Sequence, residues 1–440
     1  MPAFLTPQAI TLIVLVAVVA AMIWDKLRSD VVALTGAAVL LMTGVVRPVQ
    51  VQSAFASPAI VALASLFVIA YAMELSGLLD ASIKGLVGLC RRIGKSGLWI
   101  VIAVAGAASA FLNNTPIVVL TAPVVRHAAE SLHLSPKRFL MPLSFAAVLG
   151  GGCTLIGTST NLLVNDMAAV AAQPKFGIFE ITPVGIVVAV TGGIYLLFFS
   201  GRLIKAEQPG GEPMGELVEK RQEVGLAGAQ VGAASAFVPQ RSLRPLKAFV
   251  SFAVFAGVVA LAALNVAPIA ACAFAGAVLL ILMRVVTADE AYSGLRPDVL
   301  MLIAGMLVLG IALRVSGVAE AATGSLIGGL EGLSPLLALI IIYGVTLFAT
   351  EILSNATVAV LVTPVAVSLA EALHVSPRPF LVAVMMAGSA AFATPFGYQT
   401  NALVHQMGGY NYMDFVKVGL PLNLITWVAA IVAIQVYFPF

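Results

Sequence analysis

Apolar runs close to the ~20 residues needed to cross a bilayer recur from one end of the chain to the other. They predict helices at about 10–24, 31–46 and 59–79. A basic amphipathic segment follows at 80–96, with Lys84, Arg91, Arg92 and Lys95 among apolar residues, as expected of a stretch lying in the interface. Two shorter apolar runs come next, 97–112 and 116–129, separated by Phe111-Leu112-Asn113-Asn114-Thr115-Pro116. Each is too short to span comfortably, which predicts a re-entrant hairpin with its tip at Asn113–Thr115. A helix beginning near Arg138 is interrupted between Gly150 and Asn161, and another fills 181–200.

Residues 201–246 are the one long hydrophilic stretch, with Pro209-Gly210-Gly211, mixed charges and a Gly/Ala-rich middle. They read as a linker, too short to form a regulatory domain of their own. Beyond it the pattern returns: helices at about 248–264, 267–285 and 298–314, a weakly charged segment at 315–334, and a broken pair at 335–353 and 357–372. A broken helix from about 379 to 404 and a last helix at 418–438 complete it. The echo holds residue by residue. A shift of 240 places Gly36 on Gly276, Val45-Val46 on Val285-Val286, Ser76-Gly77 on Ser316-Gly317 and Asn161 on Asn401. A shift of 241 places Asn114 on Asn355, Pro123 on Pro364 and Pro136 on Pro377. The chain therefore divides into a first repeat (1–200, tip near 113–115), a linker (201–246) and a second repeat (247–440, tip near 354–357).

Composition turns these runs into a membrane protein. The chain is 61% hydrophobic and 10% charged, too little charge for a soluble surface. Cys90, Cys153 and Cys272 have no ligand spacing, so neither a disulfide framework nor a zinc site is indicated. The first apolar run has no basic segment before it and reads as a retained helix. With Lys26 and Arg28 cytoplasmic and the short pairs folded as hairpins, Arg47, Lys175, Arg314 and Arg378 face outside, and the other nineteen of the 23 Lys and Arg face inside. That bias follows the positive-inside rule. It makes the halves inverted repeats in an all-α polytopic protein of the cell (inner) membrane, with residues 201–246 cytoplasmic and both ends outside. The lipid bilayer and a small anion are the expected partners; nucleic acid is not.

Four polar knots interrupt the apolar pattern. They are Asn113–Thr115, Gly157-Thr158-Ser159-Thr160-Asn161, Ser354-Asn355-Ala356-Thr357, and Gly397-Tyr398-Gln399-Thr400-Asn401. Non-helical backbone at membrane depth is tolerated where protein or a wet cavity satisfies it, and paired broken helices in inverted repeats mark the sites of secondary transporters. Helix N-termini there offer N–H groups to an anion. Freed carbonyls and Asn, Ser and Thr oxygens suit a hard cation such as Na⁺. The bland alternative is that the knots are helix caps and interhelical hydrogen bonds. The recurrence of four knots in register weighs against it.

This pattern resembles the divalent anion/sodium symporter family, within the wider ion-transporter superfamily that includes citrate-carrier-like and sulfate-permease-like members. Family members carry Ser-Asn-Thr at both hairpin tips and an Asn-terminated break in each partner helix. Asn114-Thr115 matches the first tip, with Asn113 where Ser is usual, and Ser354-Asn355 the second, with Ala356 where Thr is usual. The breaks lack the Pro-Pro of dicarboxylate members and carry Ser159-Thr160 and Gln399-Thr400 instead.

The resemblance implies a homodimer, elevator-type alternating access and no enzymatic activity. The resulting expectation is cation-coupled symport of a small di-anion such as sulfate or a dicarboxylate, with Na⁺ the favoured coupling ion and no organic cofactor. One Na⁺ site would use Asn113, Asn114 and Gly157, the other Ser354, Asn355 and Gly397. The anion would lie between, touched by Asn114, Thr115, Thr158, Asn355, Thr357 and Tyr398, with Asn161, Asn401 and Glu351 in support. Three alternatives stand beside it: proton coupling through Glu351, a passive anion channel, and an intramembrane enzyme, for which no catalytic set such as His-Glu-x-x-His appears.

Overall fold

The computed structural model describes residues 6–24, 27–78, 81, 94–204, 242–264, 266–318, 334–395 and 397–440. Most of the basic segment at 80–96, the bulk of the linker and most of the segment at 315–334 lie outside the described residues. Among those described, every regular element is helical. The first half comprises α1 (Pro7–Trp24), α2 (Ser29–Met42), α3 (Pro48–Phe55), α4 (Pro58–Leu75), α5 (Lys95–Ser109), α6 (Asn114–Ser131), α7 (Lys137–Gly151), α8 (Ser159–Val170) and α9 (Thr182–Tyr195). The second comprises α10 (Pro245–Ala263), α11 (Ile269–Leu282), α12 (Ala288–Ser293), α13 (Pro297–Val315), α14 (Pro335–Ala349), α15 (Asn355–Ala372), α16 (Arg378–Gly388), α17 (Gln399–Gly408) and α18 (Tyr412–Tyr437).

Among the described residues, six helical stretches are long and apolar enough to cross a bilayer: Pro48–Leu75, Thr182–Leu203, Pro245–Ala263, Pro297–Val315, Asn355–Ala372 and Tyr412–Tyr437. Their outward faces are apolar. On α18 the exposed residues Val428, Val432 and Val436 recur every fourth position, a stripe suited to lipid and not to water. The chain is a multi-pass helical membrane protein.

Local geometry recurs at the offset read from the sequence. A Cβ on Gly36 would meet Val18 Cγ2 at 2.6 Å, and one on Gly276 would meet Val258 Cγ2 at 2.6 Å. Left-handed backbone occurs at Gly77 and Gly317 (φ 73° and 74°), at Gly44 and Arg284 (74° and 56°), and at His133 and His374 (both 55°). The equivalent of Gly44 is thus an arginine in a conformation that favours glycine.

Two elements escape the hydrophobic pattern. The short helices α3 and α12 start 240 residues apart, α3 between α2 and α4 and α12 between α11 and α13. The Thr287/Glu290 capping box of α12 is readable from sequence, and Pro48 at the first position of α3 is a start signal. The second hairpin arms also begin earlier and run longer than expected, 114–131 and 355–372. The reason is capping: Asn113 accepts a hydrogen bond from Thr115 N, and Ser354 from Thr357 N, so each helix starts at the tip asparagine itself.

The halves interlock. α2 packs on α13 and α4 on α11, forming one group. The other group places the first hairpin (α5, α6) against α7 and α17, and the second (α14, α15) against α16 and α8. Its core contains Phe145, Phe392 and Phe415, fully buried, with ring centroids of Phe145 and Phe392 5.1 Å apart. A short turn joins the open end of the first hairpin to the N-terminus of α7. The open end of the second lies past the C-terminus of α8, where Gln173 Nε2 donates to Glu371 Oε1 at 3.2 Å.

Candidate functional site

Each hairpin tip is built the same way. In the first, Ser109 at the end of α5 donates to Asn114 Oδ1. In the second, Thr350 at the end of α14 donates to Asn355 Oδ1 at 2.7 Å. Each break repeats too. Thr154 Oγ1 accepts from Gly157 N at 3.2 Å, and Thr394 Oγ1 from Gly397 N at 3.0 Å. Asn161 Nδ2 donates to Thr154 O at 3.0 Å, and Asn401 Nδ2 to Thr394 O at 3.2 Å. Tip and break are also tied alike, through Thr154 to Ala110 O and through Thr394 to Glu351 O.

A path of hydrogen bonds, with one step along the backbone from Ser389 to Gly388, then joins the two tips. Asn114, fully buried, donates from Nδ2 to the Tyr398 hydroxyl at 2.7 Å. That hydroxyl is 3.5 Å from Thr158 Oγ1, which is 3.5 Å from Ser389 Oγ. The carbonyl next to Ser389, on Gly388, lies 3.0 Å from Thr350 Oγ1, which shares its one proton between that carbonyl and Asn355 Oδ1. Beside this path Thr115 Oγ1 donates to Gln399 Oε1 at 3.3 Å. The structure thus brings Asn114, Thr115, Thr158 and Tyr398 together and links Asn355 to them. Four helix N-termini (α6, α8, α15 and α17) open at the knots, and their N–H groups supply positive potential with no basic side chain in the knots.

Thr357 is placed elsewhere. Its hydroxyl is 2.7 Å from Ser354 Oγ and donates to Met22 Sδ at 3.0 Å. It is fully buried, two residues past Asn355 in α15, and faces α1 instead of the path.

The donor chemistry around Gly157 suits a hard cation. A Cβ there would lie 2.4 Å from Gly151 O and 2.9 Å from Ala110 O. Two carbonyl oxygens therefore crowd a position where only glycine fits. Nearby, Asn161 Oδ1 is buried without a hydrogen-bond partner among the described residues. Its counterpart, Asn401 Oδ1, accepts from Ser144 at 2.8 Å; the positions at the two repeat offsets from Ser144, Val384 and Met385, carry no hydroxyl. Asn161 thus has an oxygen to spare where Asn401 does not.

Glu351 lies three residues before the second tip, and its repeat partner is Ala110. Its Oε1 accepts from Phe392 N (2.9 Å), Ala393 N (2.8 Å) and Asn423 Nδ2 (2.7 Å). Its Oε2 accepts from Thr394 N and Thr394 Oγ1, both at 2.9 Å. Five donors converge on one carboxylate, so the side chain closes the backbone break between α16 and α17. Asp166, on α8, accepts from Ser57 and from Lys175 Nζ at 3.1 Å, tying α8 to the start of α4.

Sequence reasoning missed Ser109, Thr350, Thr154, Thr394, Ser144, Ser389 and Asn423. The first four carried a usable signal, because each pair is a hydroxyl residue repeated at an offset of 241 or 240. Ser144, Ser389 and Asn423 sit singly in apolar runs, and only the fold shows what they face.

Comparison with known proteins places the chain among transporters. The sequence profile described as citrate transporter matches residues 19–374 and 352–440. A sodium-dependent dicarboxylate transporter of Staphylococcus saprophyticus is 26% identical over 435 aligned residues, covering 91% of this chain and 80% of that protein. A probable sodium/sulfate cotransporter of Chlamydomonas reinhardtii is 44% identical over 96 residues, 20% of this chain and 11% of that protein. The YdaH transporter of Alcanivorax borkumensis, a crystal structure, superimposes with a TM-score of 0.59 at 13% identity over 98% of both chains, a likeness of fold alone.

Proposed function

The chain belongs to the citrate transporter family, and from that premise we propose that it is a secondary transporter coupling a small di-anion, such as sulfate or a dicarboxylate, to Na⁺. Family membership removes the intramembrane enzyme from the alternatives. The observation that carries the proposal is the hydrogen-bonded path from Asn114 through Tyr398, Thr158 and Ser389 toward Asn355, which unites the two hairpin tips at the helix breaks. The relatives named for sodium with sulfate or dicarboxylate point the same way.

In this reading Asn114, Thr115, Thr158, Asn355 and Tyr398 contact the anion. Asn113, Asn114 and Gly157 hold one cation, and the crowded carbonyls at Gly157 and the spare oxygen of Asn161 favour that placement. Ser354, Asn355 and Gly397 hold the second. Thr357 orients Ser354 from behind and does not reach the substrate. Cations beside the anion offset its charge, which dipoles alone balance poorly in a medium of low dielectric. Glu351 has a structural part in this reading, its five donors holding the second break closed.

The larger frame is also part of the proposal. Residues 1–200 and 247–440 are repeats of opposite orientation, the intervening stretch is cytoplasmic, and both termini lie outside a cell (inner) membrane. The hairpin group moves against the α2–α13 and α4–α11 group by an elevator step, in a homodimer. Open ends of the hairpins at opposite ends of the α7–α8 unit favour the inverted arrangement.

The deciding experiment is uptake of labelled sulfate and succinate into proteoliposomes. An inward Na⁺ gradient should drive accumulation above the external concentration, and choline should abolish it. Equilibration without accumulation would identify a channel. Accumulation driven equally by a pH gradient in choline would move the coupling to protons.

A further inference from the structure

We infer that Tyr398 sets the size of anion the site accepts and restricts it to compact oxyanions of the sulfate class; this rests on the transporter reading above. Tyr398 and Thr158 occupy equivalent positions of the two breaks, 240 residues apart, and their hydroxyls meet at 3.5 Å. One half therefore presents a small side chain at this point, and the other a phenol that reaches across to the opposite hairpin. The reach ends on Asn114, where Oδ1 takes Ser109 and one of the two Nδ2 hydrogens goes to Tyr398. The neighbouring Thr115 hydroxyl is engaged in the same way by Gln399. The groups of the first tip that would hold an anion are thus covered by two consecutive residues at the N-terminus of α17.

An anion must seat beside this ring, taking over contacts now made by the phenol oxygen. Sulfate gathers its oxygens around one atom and can exchange hydrogen bonds with Asn114, Thr158 and the phenol in the space of a single polar cluster. A four-carbon dicarboxylate spreads its charges along a chain longer than this cluster, and the ring is the group that would stand in its way. A tricarboxylate needs more still. The hydroxyl acts as a hydrogen-bonding contact and the ring as a wall, and these two contributions can be separated by substitution.

The test is a thermal-shift titration of the purified full-length protein in Na⁺ with sulfate, thiosulfate, succinate and citrate. Wild type should bind sulfate and thiosulfate best and citrate worst. Tyr398→Ala should move the sulfate-to-succinate affinity ratio at least roughly tenfold toward succinate, the scale on which one extra group in a pocket discriminates. Tyr398→Phe, which keeps the wall and loses only the hydroxyl, should weaken all anions and leave the ratio within about threefold. A wild type that binds succinate or citrate as tightly as sulfate overturns the inference, even if Tyr398→Ala does not fold. So does a folded Tyr398→Ala with an unchanged ratio. Absence of stabilisation by any of the four anions would overturn the transporter site itself, a result distinct from a wrong size order.

Discussion

Replacing Glu351 with glutamine is the most direct test of how the second half holds its break. The carboxylate accepts five hydrogen bonds, three of them from the consecutive backbone N–H groups of Phe392, Ala393 and Thr394. A glutamine can keep its oxygen toward Phe392, Ala393 and Asn423, but its NH₂ then faces Thr394 N, and two donors meet. Stranding one backbone N–H costs about 1–3 kcal/mol, and exchanging three charge-assisted bonds for neutral ones weakens each. Because Glu351 is only partly buried, water recovers some of the loss, and the expected destabilisation is about 2 kcal/mol. Glu351→Ala removes every acceptor and should exceed it. Denaturant titration in detergent, followed by tryptophan fluorescence, reads the difference. If Glu351→Gln stays within about 0.5 kcal/mol of wild type, the scale of an ordinary surface change, the carboxylate does not hold the break. A variant with intact stability and altered Na⁺ or pH dependence of transport would restore its role as a coupling group.

Asn114→Ala and Asn355→Ala should each weaken sulfate binding most at low Na⁺ and recover part of it at high Na⁺; thermal shifts in NaCl and choline chloride measure this, and an unchanged Na⁺ dependence in both counts against shared cation ligation. With the native cysteines replaced, a cysteine at Ser131 should label only from the cytoplasm and one at His374 only from outside. Same-side labelling of both would sink the inverted arrangement. Ser144→Ala should cost about 1–3 kcal/mol, because it strips the buried Asn401 Oδ1 of its donor; a loss below about 0.5 kcal/mol in denaturant titration would show that Asn401 finds another partner.

The hairpins and breaks were readable because a polar residue inside an apolar run is conspicuous, and because Asn114/Asn355 and Asn161/Asn401 appear twice in register. The same contrast located Glu351 but could not show its partners. Its donors lie 41 to 43 and 72 residues downstream, and no local pattern reveals that three N–H groups turn toward it. Thr357 fails for the opposite reason. It sits beside the tip in sequence, yet two residues along a helix turn it about 200° from Asn355, toward Met22. The short helices α3 and α12 were hidden because their composition is neither apolar enough nor long enough to break the reading of a loop.

The bond from Asn114 to Tyr398 spans 284 residues of chain. At the usual pace of synthesis, about 5–20 residues per second, its two ends emerge roughly fifteen seconds to a minute apart. Through that interval the first hairpin must carry an asparagine amide whose final partner does not yet exist, in surroundings where an unmet polar group is costly. The nascent first half therefore has reason to stay near water, or near the insertion machinery, until α17 arrives. The site is among the last things this chain can complete, and a ribosome halted in the second half leaves the first hairpin without its finishing contact.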